Sequence, residues 1–135
     1  RIQKAIDFIE ANLEEEIGIK EIAEAAQLSQ YHFQRVFKKC TGYTVISYLR
    51  KRRLTRVAFD LCSSKRRVID AANDFCFEHE QTLIRAFKQE FGVTPGAFRK
   101  QKVNIFCTPK ADTIVLSLNN YSQRAFRPKL RFQHV

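Results

Sequence analysis

Apolar residues recur along most of the chain with the spacing of an α-helix. Two stripes show this best, and they consist of Ile2, Ile6, Ile9 and Leu13 and of Leu54, Val57, Ala58 and Leu61. Residues that start or stop helices divide the pattern at Gly18, Ser29, Gly42, Ser63, Ser64 and Gly92, and at Thr94 with Pro95. The pattern therefore predicts an all-α fold of about seven helices between residues 2 and 100.

An internal repeat is the most informative feature of the sequence. A shift of 50 positions aligns FQRVFKK, residues 33–39, with LIRAFKQ, residues 83–89. The equivalent pairs include Arg35 and Arg85, Phe37 and Phe87, Lys38 and Lys88, Gly42 and Gly92, Thr44 and Thr94, and Tyr48 and Phe98. Upstream, a shift of 49 aligns Ala23 with Ala72 and Leu28 with Phe77, so the turn of the second copy has one extra residue. The chain thus contains two versions of one supersecondary unit.

Each copy consists of a short predicted helix, a tight turn and a second helix, which is the pattern of a helix-turn-helix. The first unit is predicted at residues 19–41 and the second at residues 67–91. In this motif the second helix lies in the DNA major groove, so it buries one face and offers polar side chains on the other. At about 100° per residue, the buried faces are Phe33, Val36, Phe37 and Cys40 in the first copy and Leu83, Ala86 and Phe87 in the second. The outward faces are Tyr31, Gln34, Arg35 and Lys38 in the first copy and Gln81, Ile84, Arg85 and Lys88 in the second.

The outward side chains have the chemistry needed to distinguish base pairs. Arginine forks onto O6 and N7 of guanine, glutamine pairs with N6 and N7 of adenine, and an apolar side chain contacts the thymine methyl group. We therefore expect base contacts from the arginine and glutamine residues, and a thymine contact from Ile84. A pair of merely solvated faces is the alternative, but the occurrence of the same chemistry in both copies favours DNA.

The segment between the units, residues 44–62, contains no helix breaker and is predicted to form one helix. It would span about 28 Å, less than the ~34 Å between successive major-groove faces on one side of B-DNA. We therefore expect the DNA to bend toward the protein if both recognition helices insert together. Four basic residues of this helix, Arg50, Arg52, Arg53 and Arg56, are candidates for phosphate contacts, with a solvated face as the alternative.

The net charge narrows the class of partner. The 135 residues carry a formal net charge of +10, which favours a polyanion such as double-stranded DNA. Charge alone is also compatible with a nonspecific nucleic-acid-binding protein. The glutamine and arginine residues on outward helical faces argue against that alternative, because neutralising phosphates does not require them.

Several other classes of function are disfavoured. No apolar run approaches the ~20 residues needed to cross a bilayer, so we expect a cytoplasmic protein without a membrane partner. The cysteines Cys40, Cys62, Cys76 and Cys107 and the three histidines lack metal-ligand spacing, so we expect buried reduced thiols, no metal site and no cofactor. A redox switch is the alternative for the thiols. No nucleophile with a paired base, no carboxylate pair and no phosphate-binding glycine loop indicates an enzyme, so we expect no catalytic residues.

The sequence of the second unit, VIDAANDFCFEHEQTLIRAFKQEFGVTPGAFRK, closely resembles the signature of AraC/XylS-type transcription regulators. IKEIAEAAQLSQYHFQRVFKKCTG resembles the other helix-turn-helix of that family. The likeness covers residues 2–100 and is greatest to the small stress-response and antibiotic-resistance activators, the MarA, SoxS and Rob group. It implies a DNA-binding domain at residues 1–102 that binds an asymmetric site as a monomer, recruits RNA polymerase and acts at the bacterial nucleoid.

The resemblance also implies roles for individual residues. The base-contacting positions of the family correspond to Tyr31, Gln34 and Arg35 in the first unit and to Gln81 and Arg85 in the second. Further contacts, mostly to the DNA backbone, are expected from Gln30, His32, Lys38, Lys39, Thr82 and Lys88. Apart from the resemblance, the acidic residues Glu14, Glu15 and Glu16, in the first predicted helix, are our own candidate for the surface that contacts polymerase.

Two residues depart from the family pattern. Cys76 replaces a glycine in the second turn, where a positive φ angle would strain it. Asn73 replaces a buried aliphatic residue and needs polar partners if it is buried. Both departures predict a second unit that is less rigid, or binds DNA more weakly, than the first.

Residues 103–135 differ in character from the helical repeat. Pro109 and Pro128 interrupt this segment, TIVLSL at residues 113–118 predicts a short strand, and most of its charged residues are basic. Two interpretations remain open. The segment is either a basic tail that adds nonspecific phosphate affinity, or the start of a ligand-responsive domain such as follows the DNA-binding domain in Rob-like proteins.

Overall fold

The computed structural model describes residues 1–101 and 103–112, and the backbone of residues 129–130. Within these ranges seven α-helices precede one pair of short antiparallel strands. The elements are α1 (Ile2–Ala11), α2 (Ile19–Ala25), α3 (Gln30–Thr41), α4 (Val45–Ser63), α5 (Val68–Asp74), α6 (Glu80–Phe91), α7 (Pro95–Gln101), β1 (Ile105–Phe106) and β2 (Lys129–Leu130). The predicted helical architecture is confirmed. None of the helices in these ranges is long and apolar enough to cross a membrane.

The long helix α4 is shared by two helical subdomains. In the first, α1, α2 and α3 pack against one another and α3 packs against α4. In the second, α5, α6 and α7 each pack against α4. Thr44 caps the shared helix, because its Oγ1 accepts a hydrogen bond from the backbone N–H of Ser47 at 3.1 Å. The segment between the repeats therefore forms one continuous helix, as predicted.

Both apolar stripes of the sequence lie in the core. Every member of the two stripes is at most 8% exposed, from Ile2 in α1 to Leu61 in α4. Burial of each large aliphatic side chain contributes about 1.5 to 3 kcal/mol of transfer free energy. These two helices therefore anchor the hydrophobic core on which the helix-turn-helix units are mounted.

The internal repeat is preserved in three dimensions. In the first unit the rings of Phe37 and Tyr48 are 5.5 Å apart, and in the second the equivalent rings of Phe87 and Phe98 are 5.6 Å apart. Tilted and edge-on aromatic pairs at this distance are favourable beyond the area they bury. Each pair joins a recognition helix to the helix that follows it, so the two units are built in the same way.

The turn of each helix-turn-helix contains a non-glycine residue with a positive φ angle. The angle is 58° at Gln27 in the first unit and 64° at Cys76 in the second. The positive φ considered for Cys76 is therefore confirmed, and the first unit shares it. This conformation costs a residue with a side chain of order 1 kcal/mol. Asn73 is exposed, so it does not need the partners that a buried amide would require.

Residues 105–111 lie against α1 and α4. Thr108 is buried, and its backbone N–H donates to Oγ1 of Thr55 at 3.2 Å. The backbone N–H of Ala111 donates to the hydroxyl oxygen of Tyr48 at 2.9 Å. Part of the predicted C-terminal extension is thus joined to the first subdomain, whereas the strand predicted at residues 113–118 lies outside the described residues.

The cysteines correct the expectation of four buried thiols. Cys107 is buried and Cys76 is half-buried, but Cys40 and Cys62 are exposed. Cys40 was expected on the inward face of α3. The buried line of that helix instead runs through Phe33, Phe37 and Thr41 at intervals of four residues, which leaves Cys40 on its flank.

Candidate nucleic-acid interface

The first recognition helix, α3, presents a polar face on a well-capped helix. At its start, Oγ of Ser29 accepts a hydrogen bond from the backbone N–H of His32 at 3.2 Å. At its end, Gly42 has φ 81°, the left-handed conformation that glycine adopts without steric cost. The buried aromatic residues fix the opposite side of the helix. Its outward side chains Tyr31, Gln34, Arg35 and Lys38 are all exposed, as predicted.

The second recognition helix, α6, has the same two faces but a different N-terminus. Its buried residues are Leu83, Ala86 and Phe87, and its outward residues are exposed Gln81, Arg85 and Lys88 with half-buried Ile84. His79 precedes the helix without a side-chain capping bond, and Glu80 adds a negative charge to the first turn. A negative charge here disfavours a neighbouring phosphate, so this end of α6 is less suited to DNA than the start of α3.

Arg35 and Tyr31 interact on the exposed face of α3. Cζ of Arg35 lies 5.6 Å from the centroid of the Tyr31 ring, one helical turn earlier. Tyr31 is 72% exposed, so the pair faces solvent. In α6 the residue one turn before Arg85 is Gln81, which has no ring. The two helical faces therefore share an arginine but differ in what lies beside it.

Other candidate DNA contacts surround the recognition faces. Gln30, His32, Lys39, Arg50 and Lys88 are exposed, and Thr82 is half-buried. The ammonium group of Lys38 donates to the carbonyl oxygen of Gly42 at 3.1 Å, which draws this cation toward the end of α3. The exposed cations lie on the recognition helices and near the start of α4, where a duplex on those helices would bring its phosphates close.

Two arginines of α4 are engaged inside the protein, which corrects the prediction of a continuous basic face. Arg52 is 8% exposed and donates to both carboxylate oxygens of Glu10, at 2.9 and 2.7 Å. Arg53 donates to the carbonyl oxygens of Leu13 and Glu15, at 2.9 and 2.6 Å. Burial lowers the pKa of the Arg53 guanidinium. These two side chains join α4 to the end of the first helix and are not free for phosphates.

Helical geometry explains why these arginines are engaged inside the protein although the run of basic residues predicted phosphate contacts for them. Arg52 follows Tyr48 by four positions and precedes Thr55 by three, so it shares their buried face. Arg56 is half-buried, with its guanidinium 5.9 Å from the centroid of the Phe75 ring. Of the four phosphate candidates predicted in α4, Arg50 is the one that is exposed.

An ion pair that the sequence analysis did not single out joins α4 to the second recognition helix. Nζ of Lys51 lies 2.8 Å from Oε1 of Glu90, and the two side chains are 25% and 11% exposed. No local signal identifies the pair, because its members are 39 positions apart. Their contact constrains how α6 is held on α4.

The candidate polymerase surface lies in a turn and not in a helix. Glu14, Glu15 and Glu16 are exposed, but α1 already ends at Ala11. Asn12 caps that end, where its side-chain amide donates to the carbonyl oxygen of Phe8 at 2.8 Å. The prediction of a helical acidic surface is therefore corrected to an acidic turn.

Known proteins are similar to this chain in sequence. Residues 22–101 match the helix-turn-helix domain family HTH_18. The TetD protein of transposon Tn10 from Escherichia coli is 37% identical over 102 residues, which are 76% of this chain and 74% of TetD. The multiple antibiotic resistance protein MarA of Escherichia coli K12 is 38% identical over 98 residues, 73% of this chain and 77% of MarA. The chain belongs to the AraC/XylS family of DNA-binding transcription regulators.

Solved structures of other transcription regulators have the same fold. An AraC-type transcriptional regulator from Chromobacterium violaceum superposes with a TM-score of 0.71 at 24% identity, over 76% of this chain and 91% of that one. The DNA-binding domain of AdpA, in complex with a target DNA, superposes with a TM-score of 0.69 at 24% identity, over 74% and 90%. The predicted fold of two helix-turn-helix units on one long helix is thereby confirmed.

Proposed function

We propose that this AraC-family protein activates transcription by binding an asymmetric duplex site as a monomer, with α3 and α6 in successive major grooves. The proposal is carried by the two equivalent exposed faces attached to one long helix. They present Tyr31, Gln34 and Arg35 on α3, and Gln81 and Arg85 on α6. The protein acts on DNA in the cytoplasm, at the nucleoid, and catalyses no reaction.

The exposed side chains divide into two roles. The two arginines fork onto guanine and the glutamines pair with adenine, while Ile84 contacts a thymine methyl group. Phosphate contacts that set the register come from Gln30, His32, Lys38, Lys39, Arg50, Thr82 and Lys88. The half-sites differ because the two units are repeats with different outward residues, for example Gln34 in the first and Ile84 in the second.

The length of α4 favours a bent complex. Its 19 residues span about 28 Å, which is shorter than the ~34 Å between successive major-groove faces. Bending the duplex toward the protein closes that difference at a cost of order 1 to 6 kcal/mol, offset by contacts at the second groove.

Selection of bound duplexes from a random pool, at about physiological salt, tests the proposal. Two short, different motifs about one helical turn apart are expected. Arg35→Ala should degrade one motif and Arg85→Ala the other. Arg35→Lys and Arg85→Lys are the matched controls, because they keep the charge but lose the fork. These controls should lose base preference at one position each while keeping their affinity for unrelated DNA.

Other outcomes of the selection would overturn the proposal. Binding that weakens with salt and enriches no motif would identify a nonspecific DNA-binding protein. A palindromic motif would indicate a dimer with symmetric half-sites. A single motif that is insensitive to Arg85→Ala would leave α6 outside the groove.

Activation requires a surface that contacts RNA polymerase, and we assign this role to the exposed turn of Glu14, Glu15 and Glu16. Charge reversal of all three residues to lysine should abolish activation in a purified transcription assay without weakening specific DNA binding. The matched control reverses Glu24, which is exposed on the neighbouring α2, and leaves Glu21 unchanged because its carboxylate accepts a capping bond from the Gly18 N–H. Equal loss of activation in the control, or loss of DNA binding in the first variant, would overturn this assignment.

A further inference from the structure

The Tyr31–Arg35 contact on α3 has a geometry suited to recognition of a base. A cation–π contact at this distance uses the charge of the guanidinium and none of its hydrogen bonds, so the N–H donors of Arg35 stay available for a base. Both residues lie on a helix whose first turn is capped by Ser29 and whose inner side is held by Phe33. The two side chains therefore stand one turn apart on an ordered helix backbone.

The contact with the Tyr31 ring reduces the conformational entropy that the Arg35 side chain loses on binding. A free arginine side chain samples many rotamers, and binding through a single geometry must give up that freedom. A cation–π contact at an exposed site favours the rotamer that makes it by a factor of about two to five. The contact thus raises the fraction of molecules in which the Arg35 side chain already lies along the helix face beside Tyr31.

The second unit has no aromatic side chain one turn before its arginine. Gln81 occupies the position one turn before Arg85, and an amide offers no ring face for stacking. The start of α6 also lacks a side-chain cap and carries Glu80. The two arginines therefore occupy equivalent positions in the repeat but differ in how far they are held in place before DNA arrives.

We propose that Tyr31 is a positioning residue that holds Arg35 for a guanine in the half-site bound by α3. This inference rests on the proposed function, because it requires that α3 lies in the major groove. The ligand group that it specifies is the O6 and N7 edge of a guanine in the half-site bound by α3.

The test measures how Tyr31 and Arg35 depend on each other. Binding of the full chain is measured by fluorescence anisotropy to four duplexes that differ only in the base pair that Arg35 contacts, as identified by the selection experiment. Tyr31→Phe retains the ring and should keep the preference for guanine. Tyr31→Leu removes the ring and should lower that preference about two- to fivefold. In an Arg35→Ala background, Tyr31→Leu should have no further effect on the preference.

Three outcomes would overturn the inference. Equal loss of affinity for all four duplexes, in both backgrounds, would mean that Tyr31 contacts DNA independently of Arg35. Full retention of the guanine preference by Tyr31→Leu would mean that the ring has no role in it. Absence of any base preference in the parent protein would overturn the proposed function as well. Unfolding temperatures of the variants exclude misfolding as a cause, since Tyr31 is exposed in the folded chain.

Discussion

Arg52 of α4 and Glu10 of α1 form a two-bond ion pair, with Nε and Nη2 of the guanidinium donating to the two carboxylate oxygens at 2.9 and 2.7 Å. The third nitrogen, Nη1, donates to the backbone carbonyl oxygen of Thr108. One buried arginine therefore connects the first helix, the shared helix and the C-terminal segment. Planar, two-bond pairs of this kind are among the stronger polar contacts in proteins.

Removal of this arginine should destabilise the protein without a specific effect on DNA. Arg52→Gln leaves the mostly buried Glu10 without its cation and should lower the free energy of unfolding by about 3 kcal/mol. Denaturant titration of the parent and the variant measures the change. Arg50→Gln is the matched control, because Arg50 is two positions away and exposed, and it should change stability by less than about 0.5 kcal/mol. Equal stability of Arg52→Gln and the parent would contradict this role.

Arg50 should instead affect the salt dependence of DNA binding. If it contacts one phosphate, Arg50→Gln reduces the slope of log affinity against log salt concentration by about 0.9. The base preferences obtained by selection should stay the same, since phosphate contacts do not distinguish bases. Lys4→Gln, on an exposed position of α1, serves as the control and should leave the slope unchanged. An unaltered slope for Arg50→Gln would remove Arg50 from the interface.

Glycine should stabilise the protein at the two turn positions that have a positive φ angle, Gln27 and Cys76. Gln27→Gly and Cys76→Gly relieve a positive φ angle, and each should raise the free energy of unfolding by about 0.5 to 1 kcal/mol. Gly92→Ala provides the opposite case, because it places a side chain at φ 78° and should lower stability by about 1 kcal/mol. Thermal unfolding of the three variants measures the changes. Destabilisation by Cys76→Gly would show that its side-chain contacts outweigh the backbone strain.

Alkaline pH should lower the free energy of unfolding through the buried hydroxyl of Tyr48. Burial raises the pKa of Tyr48 from 10.0 to about 12, although the hydrogen bond from Ala111 acts in the opposite direction. The unfolded chain therefore loses this proton first, so the contribution of Tyr48 is complete below pH 10 and is lost as the pH rises through about 12. The loss is of order 3 kcal/mol across that window.

Tyr48→Phe isolates this titration from that of other groups. The variant loses the acceptor for the Ala111 N–H and should be less stable at neutral pH by about 1 kcal/mol. Its stability should then fall less steeply than that of the parent between pH 10 and 12, as followed by denaturant titration at each pH. Parallel curves for the two proteins would show that Tyr48 does not ionise in this range.

The local sequence pattern was sufficient to predict the helices, the repeat and the outward faces of the recognition helices. Each of these depends on contacts within about four residues, where helical periodicity and the identity of a cap determine which side chains point inward. Ser29, Gly42 and Gly92 mark helix ends that the structure places there. The outward side chains of α3 were predicted correctly because α3 buries one narrow face, through Phe33, Phe37 and Thr41, and leaves the opposite face exposed.

Contacts between distant residues were decided only by the tertiary structure. Arg52 was predicted to contact phosphates because its neighbours in sequence are basic, whereas its environment is set by Glu10, 42 positions earlier, and Thr108, 56 positions later. The Lys51–Glu90 pair and the docking of residues 105–111 likewise join residues that are far apart in the sequence, so the local pattern did not predict them. A charge in a run is free only if the packing of the whole chain leaves it exposed. The sequence therefore determined what each helix offers, and the fold decided which of those groups remain available for DNA.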